Sequence, residues 1–132
     1  MYWKIYLIAL PIFLIIDAVW LGFIAKNLYQ KEIGFLMGES VNWIAAAIFY
    51  LLFILGLTVF VIEPAVEAGA WKTALTLGAL FGLITYATYD LTNLATIDGW
   101  PVSVTIIDLI WGSFIGSSVS IITYLIVTRL II

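Results

Sequence analysis

Four long runs of apolar residues fill most of the chain, and they restrict its fold more than any other feature. A helix needs roughly 20 mostly apolar residues to cross the hydrocarbon core of a bilayer. The runs cover about residues 5–24, 42–62, 73–94 and 101–125. Because only short connections remain, we expect residues 1–132 to form a single all-α domain, an integral membrane four-helix transmembrane bundle.

The composition excludes a water-soluble domain. Hydrophobic residues make up 65% of the chain and charged residues 10%. In soluble domains the hydrophobic fraction is about 45–50% and the charged fraction about 25%. A domain this small must cover a large surface with polar side chains, and five basic and eight acidic residues are too few for that. The net charge of −3, with no basic run, also excludes a nucleic-acid partner. We therefore expect the chain to be surrounded by membrane lipid.

Residues near the ends of the runs indicate where the helices begin and end. Ser40 and Asn42 could cap the second run, and Pro64 is expected to close it, because proline interrupts a continuing helix. The first run carries Asp17 and bulky residues where a signal peptide would have small ones, so we expect an uncleaved span. Residues 25–41 are expected to form a helical extension or an interfacial turn.

The basic residues predict an orientation. Four spans place both termini on one side, together with Lys4, Lys72 and Arg129, and leave Lys26 and Lys31 on the other. Lysine and arginine are enriched on the cytoplasmic side of membrane proteins. The count of three against two predicts cytoplasmic termini.

Three aspartates lie inside the predicted spans: Asp17, Asp90 and Asp108. At a rise of 1.5 Å per helical residue, they lie roughly 10, 6 and 10 Å from the ends of their spans on the membrane side opposite the termini. Ionisable residues inside a span are costly and mark either a functional site or a structural pair. No lysine or arginine lies at this depth, so a proton, a bound cation or hydrogen bonds must satisfy the acids.

Glycine pairs accompany two of these acids. Gly78 and Gly82 share a helix face with Asp90, and Gly112 and Gly116 share one with Asp108. Such G-x-x-x-G pairs let helix backbones approach closely in lipid. We therefore expect the first, third and fourth spans to meet around the acids. The second span is expected to be peripheral, with its middle, residues 49–61, facing lipid.

Aromatic residues are expected in the same half of the membrane. Two tryptophans each follow an aspartate by three residues on one helix side, which suits either a bound cation or a structural hydrogen bond from the indole to the carboxylate. Both interpretations stay open. The candidate binding residues are Asp17, Trp20, Tyr86, Tyr89, Asp90, Asn93, Asp108 and Trp111.

The residues present make catalysis a weak hypothesis. The chain contains no histidine and no cysteine, so no nucleophile–base pair can be assembled around its serines. Acid–base work by two carboxylates stays open. No dinucleotide, phosphate-loop or calcium-loop motif occurs, and we expect neither a cofactor nor a metal.

Several segments together resemble a family of small predicted bacterial membrane proteins that is known only as a domain of unknown function. These segments are DAVWLG at 17–22, FY at 49–50, YATYDLTNLA at 86–95, GWP at 99–101 and DLIWG at 108–112. The resemblance extends over essentially the whole chain. It implies a multi-pass protein of the bacterial inner membrane, and it does not imply any activity.

Three function classes stay open. The chain is similar in size and span number to small multidrug-resistance exporters, which implies proton-linked binding or transport of a cationic or amphiphilic small molecule. The second class is a lipid-binding or lipid-modifying protein, and the third is an accessory subunit without chemistry. Four short spans enclose little volume, which leaves room for a homodimer.

Overall fold

A computed structural model describes residues 1–38 and 42–132, and the described residues are helical with no strand. Helix α1 (Tyr2–Val19) continues through a π-helical turn, Trp20–Ile24, into α2 (Ala25–Ile33) and a 3₁₀ turn, Gly34–Leu36. Helix α3 (Trp43–Leu57) continues through a π-helical turn, Thr58–Ile62, into α4 (Glu63–Ala68). Helix α5 is Trp71–Thr96, and α6 is Val102–Ile126, followed by a π-helical turn, Val127–Ile131.

Four of these helical segments are long and apolar enough to cross a membrane, which confirms the predicted all-α membrane fold. They are Tyr2–Leu36, Trp43–Ala68, Trp71–Thr96 and Val102–Ile131. Large apolar side chains cover their outer surface: Phe23 is 86% exposed and Leu130 is 78% exposed. Apolar side chains on the outside are what a surrounding hydrocarbon phase requires.

The helix ends follow local sequence, with one exception. The Asn42 side chain accepts a hydrogen bond from the Ala45 backbone N–H at 3.1 Å and caps α3, whereas the predicted cap at Ser40 lies outside the described residues. Gly69 ends α4 in the left-handed conformation, at φ 65°, which glycine adopts without steric cost. The expected stop at Pro64 is wrong, because Pro64 lies in the first turn of α4, directly after the π-helical turn, and the helical segment continues to Ala68.

The expectation that the second span is peripheral is also wrong. Phe53, Ile54 and Leu57 of α3 are buried, and the rings of Phe13 and Phe53 are 5.3 Å apart. These residues belong to the main core together with Ile115 of α6. A helix that is apolar on all sides gives no sequence pattern that separates its lipid face from its protein face.

Helices α5 and α6 form the closest pair. A Cβ atom on Gly78 would lie 2.6 Å from the Gly116 carbonyl oxygen. A Cβ atom on Gly82 would overlap the Gly112 carbonyl group. The two helices therefore touch backbone to backbone along these four glycines, and this contact fixes the positions of Asp90 and Asp108 on the same faces.

Candidate functional site

An acidic cleft of about 420 Å³ lies at the end of the bundle where α1 turns into α2 and α5 connects to α6. Six of the eight predicted binding residues line it: Asp17, Trp20, Tyr86, Tyr89, Asp108 and Trp111. The other lining residues are Leu21, Tyr29, Ile33, Met37, Ala46, Phe49, Tyr50 and Trp100. No lysine or arginine is among these described residues, so the cleft carries carboxylates without a built-in cation.

Asp108 is held by a tyrosine from another helix. The Tyr29 hydroxyl of α2 donates a hydrogen bond to the Asp108 carboxylate. The same hydroxyl accepts a hydrogen bond from the Trp20 indole N–H at 3.3 Å. Trp20 thus contacts the acid through Tyr29, and the α1–α2 segment is connected to α6 by this chain of hydrogen bonds.

Trp20 and Trp111 form one wall of the acidic cleft. Their rings are stacked, with centroids 4.3 Å apart and planes 8° from parallel. Asp17, which is 6% exposed, has the Tyr50 hydroxyl and the Trp111 indole as its neighbouring donors. The Trp111 N–H nevertheless meets no acceptor with hydrogen-bond geometry among the described residues. Two aromatic faces and a buried carboxylate therefore lie side by side.

Asp90 lies behind the acidic cleft and does not line it. Its side chain is fully buried, and neither carboxylate oxygen has a hydrogen-bond donor among the described residues. The carboxyl group of Asp108 is its neighbour. Two carboxyl groups form a hydrogen bond only when one of them carries a proton.

The remaining predicted residues differ in their positions. Tyr89 is 58% exposed at the edge of the cleft, and its ring packs edge-on against Trp100 at 5.9 Å. Trp100 is buried and donates a hydrogen bond to the Thr105 hydroxyl at 3.1 Å. Asn93 is not among the residues that line the cleft.

Tyr29, Tyr50 and Trp100 line the acidic cleft, but they are not among the binding residues predicted from the sequence. Tyr29 is the most consequential omission because it donates to Asp108. Ala25, Tyr29 and Ile33 are four residues apart and share one face of α2, but this spacing does not indicate that the face meets α6. The described residues contain no group of three or more acidic, histidine or cysteine side chains placed to hold a metal ion.

One family of proteins matches this chain. Its model, described as "Predicted membrane protein (DUF2177)", matches residues 2–125. No curated protein matches the chain, and no solved structure does. The match covers all four membrane-spanning helical segments up to Leu125 and every residue that lines the acidic cleft.

Proposed function

This chain belongs to the DUF2177 family of predicted membrane proteins, and we propose that it binds a cationic, partly apolar small molecule in the acidic cleft. One observation carries the proposal: Asp17 and Asp108 line an aromatic cleft that has no lysine or arginine among its described lining residues. Buried carboxylates without a cation are costly in hydrocarbon. A ligand that brings the missing positive charge removes that cost.

The walls of the cleft suit such a ligand. A cation within about 6 Å of an aromatic face gains about 0.5–2 kcal/mol, the larger values applying when water is excluded. The stacked Trp20 and Trp111 rings and the nearby Tyr50 and Tyr86 side chains supply these faces. The apolar part of the ligand would contact Leu21, Ile33 and the aromatic rings.

Proton exchange follows from the pair of acids behind the cleft. Asp90 and Asp108 are neighbouring carboxyl groups, and two such groups share a hydrogen bond only when one of them carries a proton. A bound cation and this proton compete for the same Asp108 oxygens. Cation binding therefore releases the proton. This exchange couples binding or transport of the cation to a proton gradient.

The proposed location is the inner membrane of a bacterium, with cytoplasmic termini. Lys4, Lys72 and Arg129 support this orientation over the reverse by three basic residues to two. The acidic cleft then opens toward the outer side of that membrane, because it lies at the end of the bundle opposite the termini.

The test compares Asp108→Asn with Asp98→Asn in purified, detergent-solubilised protein, with tetraphenylphosphonium as the probe cation and calorimetry as the readout. Asparagine keeps the shape of Asp108 and an oxygen that accepts from Tyr29, but removes the charge. We expect Asp108→Asn to weaken binding about tenfold or more. The reason is the loss of a charge–charge attraction of about 1.4 kcal/mol or more, at an effective dielectric constant between those of water and the protein interior. Asp98 lies in the exposed loop after α5, so Asp98→Asn removes the same formal charge from outside the cleft.

Two results would overturn the proposal. One is the absence of saturable binding to the wild-type protein. The other is binding to Asp108→Asn that equals binding to Asp98→Asn, since the acids would then have a structural role only. Thermal unfolding of each variant confirms that the protein is folded.

A further inference from the structure

A second cavity, of about 530 Å³, adjoins the acidic cleft between the second and third membrane-spanning segments. We call it the side arm. Its walls are Ala45, Ala46 and Phe49 of α3, Thr85, Tyr86 and Tyr89 of α5, and Asp108 of α6. Five of these seven residues, all except Ala45 and Thr85, also line the acidic cleft. The two cavities therefore adjoin, and Asp108 lies in the wall of both.

The packing of α3 explains why the side arm exists. Every buried residue of α3 lies in its second half, from Phe53 onward, where the helix packs against α1 and the core. In the first half, Ala45 and Ala46 present only methyl groups towards α5. Phe49 meets Tyr86 of α5 edge-on, with ring centroids 6.2 Å apart, and beside this contact the two alanines leave part of the gap between α3 and α5 unfilled.

The side arm reaches the outer surface of the bundle. Ala45 is exposed, and Phe49 and Tyr89 are 42% and 58% exposed. Neighbouring residues on this surface are apolar, such as Ile48, which is 53% exposed. In a membrane this surface faces acyl chains, so the side arm opens sideways into the hydrocarbon phase.

The lining of the side arm is mostly apolar, and its polar groups are the hydroxyls of Thr85, Tyr86 and Tyr89 and the carboxylate of Asp108. The Thr85 hydroxyl donates to the backbone carbonyl of Phe81 at 2.9 Å, within its own helix. Asp108 supplies a carboxylate at the point where the side arm meets the acidic cleft. The side arm thus combines mostly apolar walls with one carboxylate, which it shares with the acidic cleft.

From this combination we infer that the ligand is a single-chain cationic amphiphile, an alkylammonium head group with a hydrocarbon tail, which enters from the bilayer between α3 and α5. The head group pairs with Asp108 in the acidic cleft, and the tail lies in the side arm. The inference rests on the proposed function, since it names the class of cation and its route. The Asp108 carboxylate complements the charge of a cationic head group, and the apolar walls of the side arm suit a hydrocarbon tail.

The test uses two probes that share a head group, tetramethylammonium and decyltrimethylammonium, with protein in nanodiscs of neutral phospholipid. Ala45→Phe places a ring in the side arm, whereas Ala45 does not line the acidic cleft. We expect it to weaken binding of the decyl probe about tenfold or more, because the ring displaces several tail methylenes from the side arm and their burial is lost. Binding of tetramethylammonium should change less than about twofold, because the head group's contacts are unaltered.

Ala47→Phe is the matched control, because Ala47 is exposed on the same helix and lines neither cavity. It should leave both probes as in the wild type. Comparing variants at equal chain length cancels the partitioning of the tail into the lipid. Ala45→Leu, with a smaller side chain, repeats the test if the phenylalanine variant fails to fold.

The outcomes separate the inference from the proposed function. If Ala45→Phe leaves the decyl probe unaffected, or weakens both probes equally, while Asp108→Asn weakens both, the side arm does not hold the tail and only the inference fails. If neither probe binds the wild-type protein, or Asp108→Asn changes neither, the proposed function fails with it.

Discussion

At the scale of single residues, the Tyr29 hydroxyl controls the surroundings of Asp108. It donates to the carboxylate and accepts from the Trp20 indole at 3.3 Å. A buried group that loses its hydrogen-bond partner costs about 1–3 kcal/mol. Tyr29→Phe leaves Asp108 and the Trp20 N–H without this partner and keeps the ring in place.

We therefore expect Tyr29→Phe to lower the free energy of unfolding by about 1–3 kcal/mol, measured by denaturant titration in detergent micelles. Tyr2→Phe is the control, because Tyr2 is 54% exposed and lies outside the acidic cleft. Equal stability of the two variants would show that the Tyr29 hydroxyl does not support Asp108.

The acids and this tyrosine differ in how far sequence could predict them. Counting residues from the span ends placed Asp17 and Asp108 at one depth, and both line the acidic cleft. Tyr29 lies beyond the predicted end of the first span, at residue 24, in a segment whose contact with α6 depends on the path of the chain after the π-helical turn. Residue spacing along one helix contains no information about that path.

At the scale of helices, the contact between α5 and α6 depends on glycine. A Cβ atom on Gly82 would overlap the Gly112 carbonyl group, which belongs to the backbone and cannot rotate away. Overpacking of a tight contact costs about 1–3 kcal/mol or more. We expect Gly82→Ala to destabilise the protein by this amount, read as a lower midpoint of denaturant unfolding.

Gly22→Ala is the matched control for this prediction. Gly22 lies in the π-helical turn, and a Cβ atom there would meet nothing within 4 Å. Alanine is the better helix former, so this variant should be as stable as the wild type or more stable. A Gly82→Ala protein as stable as Gly22→Ala would contradict the close backbone contact.

The second membrane-spanning segment marks the limit of prediction at this scale. Its middle contains no ionisable residue, and this led to the wrong expectation that it faces lipid. Apolar side chains suit acyl chains and a protein core equally, since lipid tails provide no hydrophobic drive for helix association. Phe53 and Leu57 are buried, whereas Leu52 and Leu55 are 60% and 49% exposed, and no difference of residue type distinguishes the two groups.

At the scale of the whole molecule, the fold class was the most predictable feature. Length and hydropathy alone require four spans, and the structure has four helical segments of that kind. The ends were less predictable: the segment that ends at Ala68 passes through Pro64. The homodimer stays a prediction, because the positions of glycine and apolar residues within one chain do not define a surface between two chains.

The orientation of the bundle gives the last prediction. The chain contains no cysteine, so Ala68→Cys and Asp98→Cys each introduce a single reactive thiol. Both positions are exposed, and α5 lies between them. We expect an impermeant maleimide to label Asp98→Cys in intact bacterial cells, and Ala68→Cys only after the membrane is made permeable, because Lys4, Lys72 and Arg129 favour the cytoplasm on the Ala68 side.

Each of the other outcomes has a definite physical meaning. Labelling of both thiols from the same side would show that α5 does not cross the membrane, and the spans proposed around it would fail. Reversed labelling would keep the four spans but place the acidic cleft at the cytoplasmic side. A mixture of both patterns would indicate two orientations, which a difference of only one basic residue between the sides would explain. Adding a lysine beside Lys72 should then shift the mixture toward cytoplasmic termini.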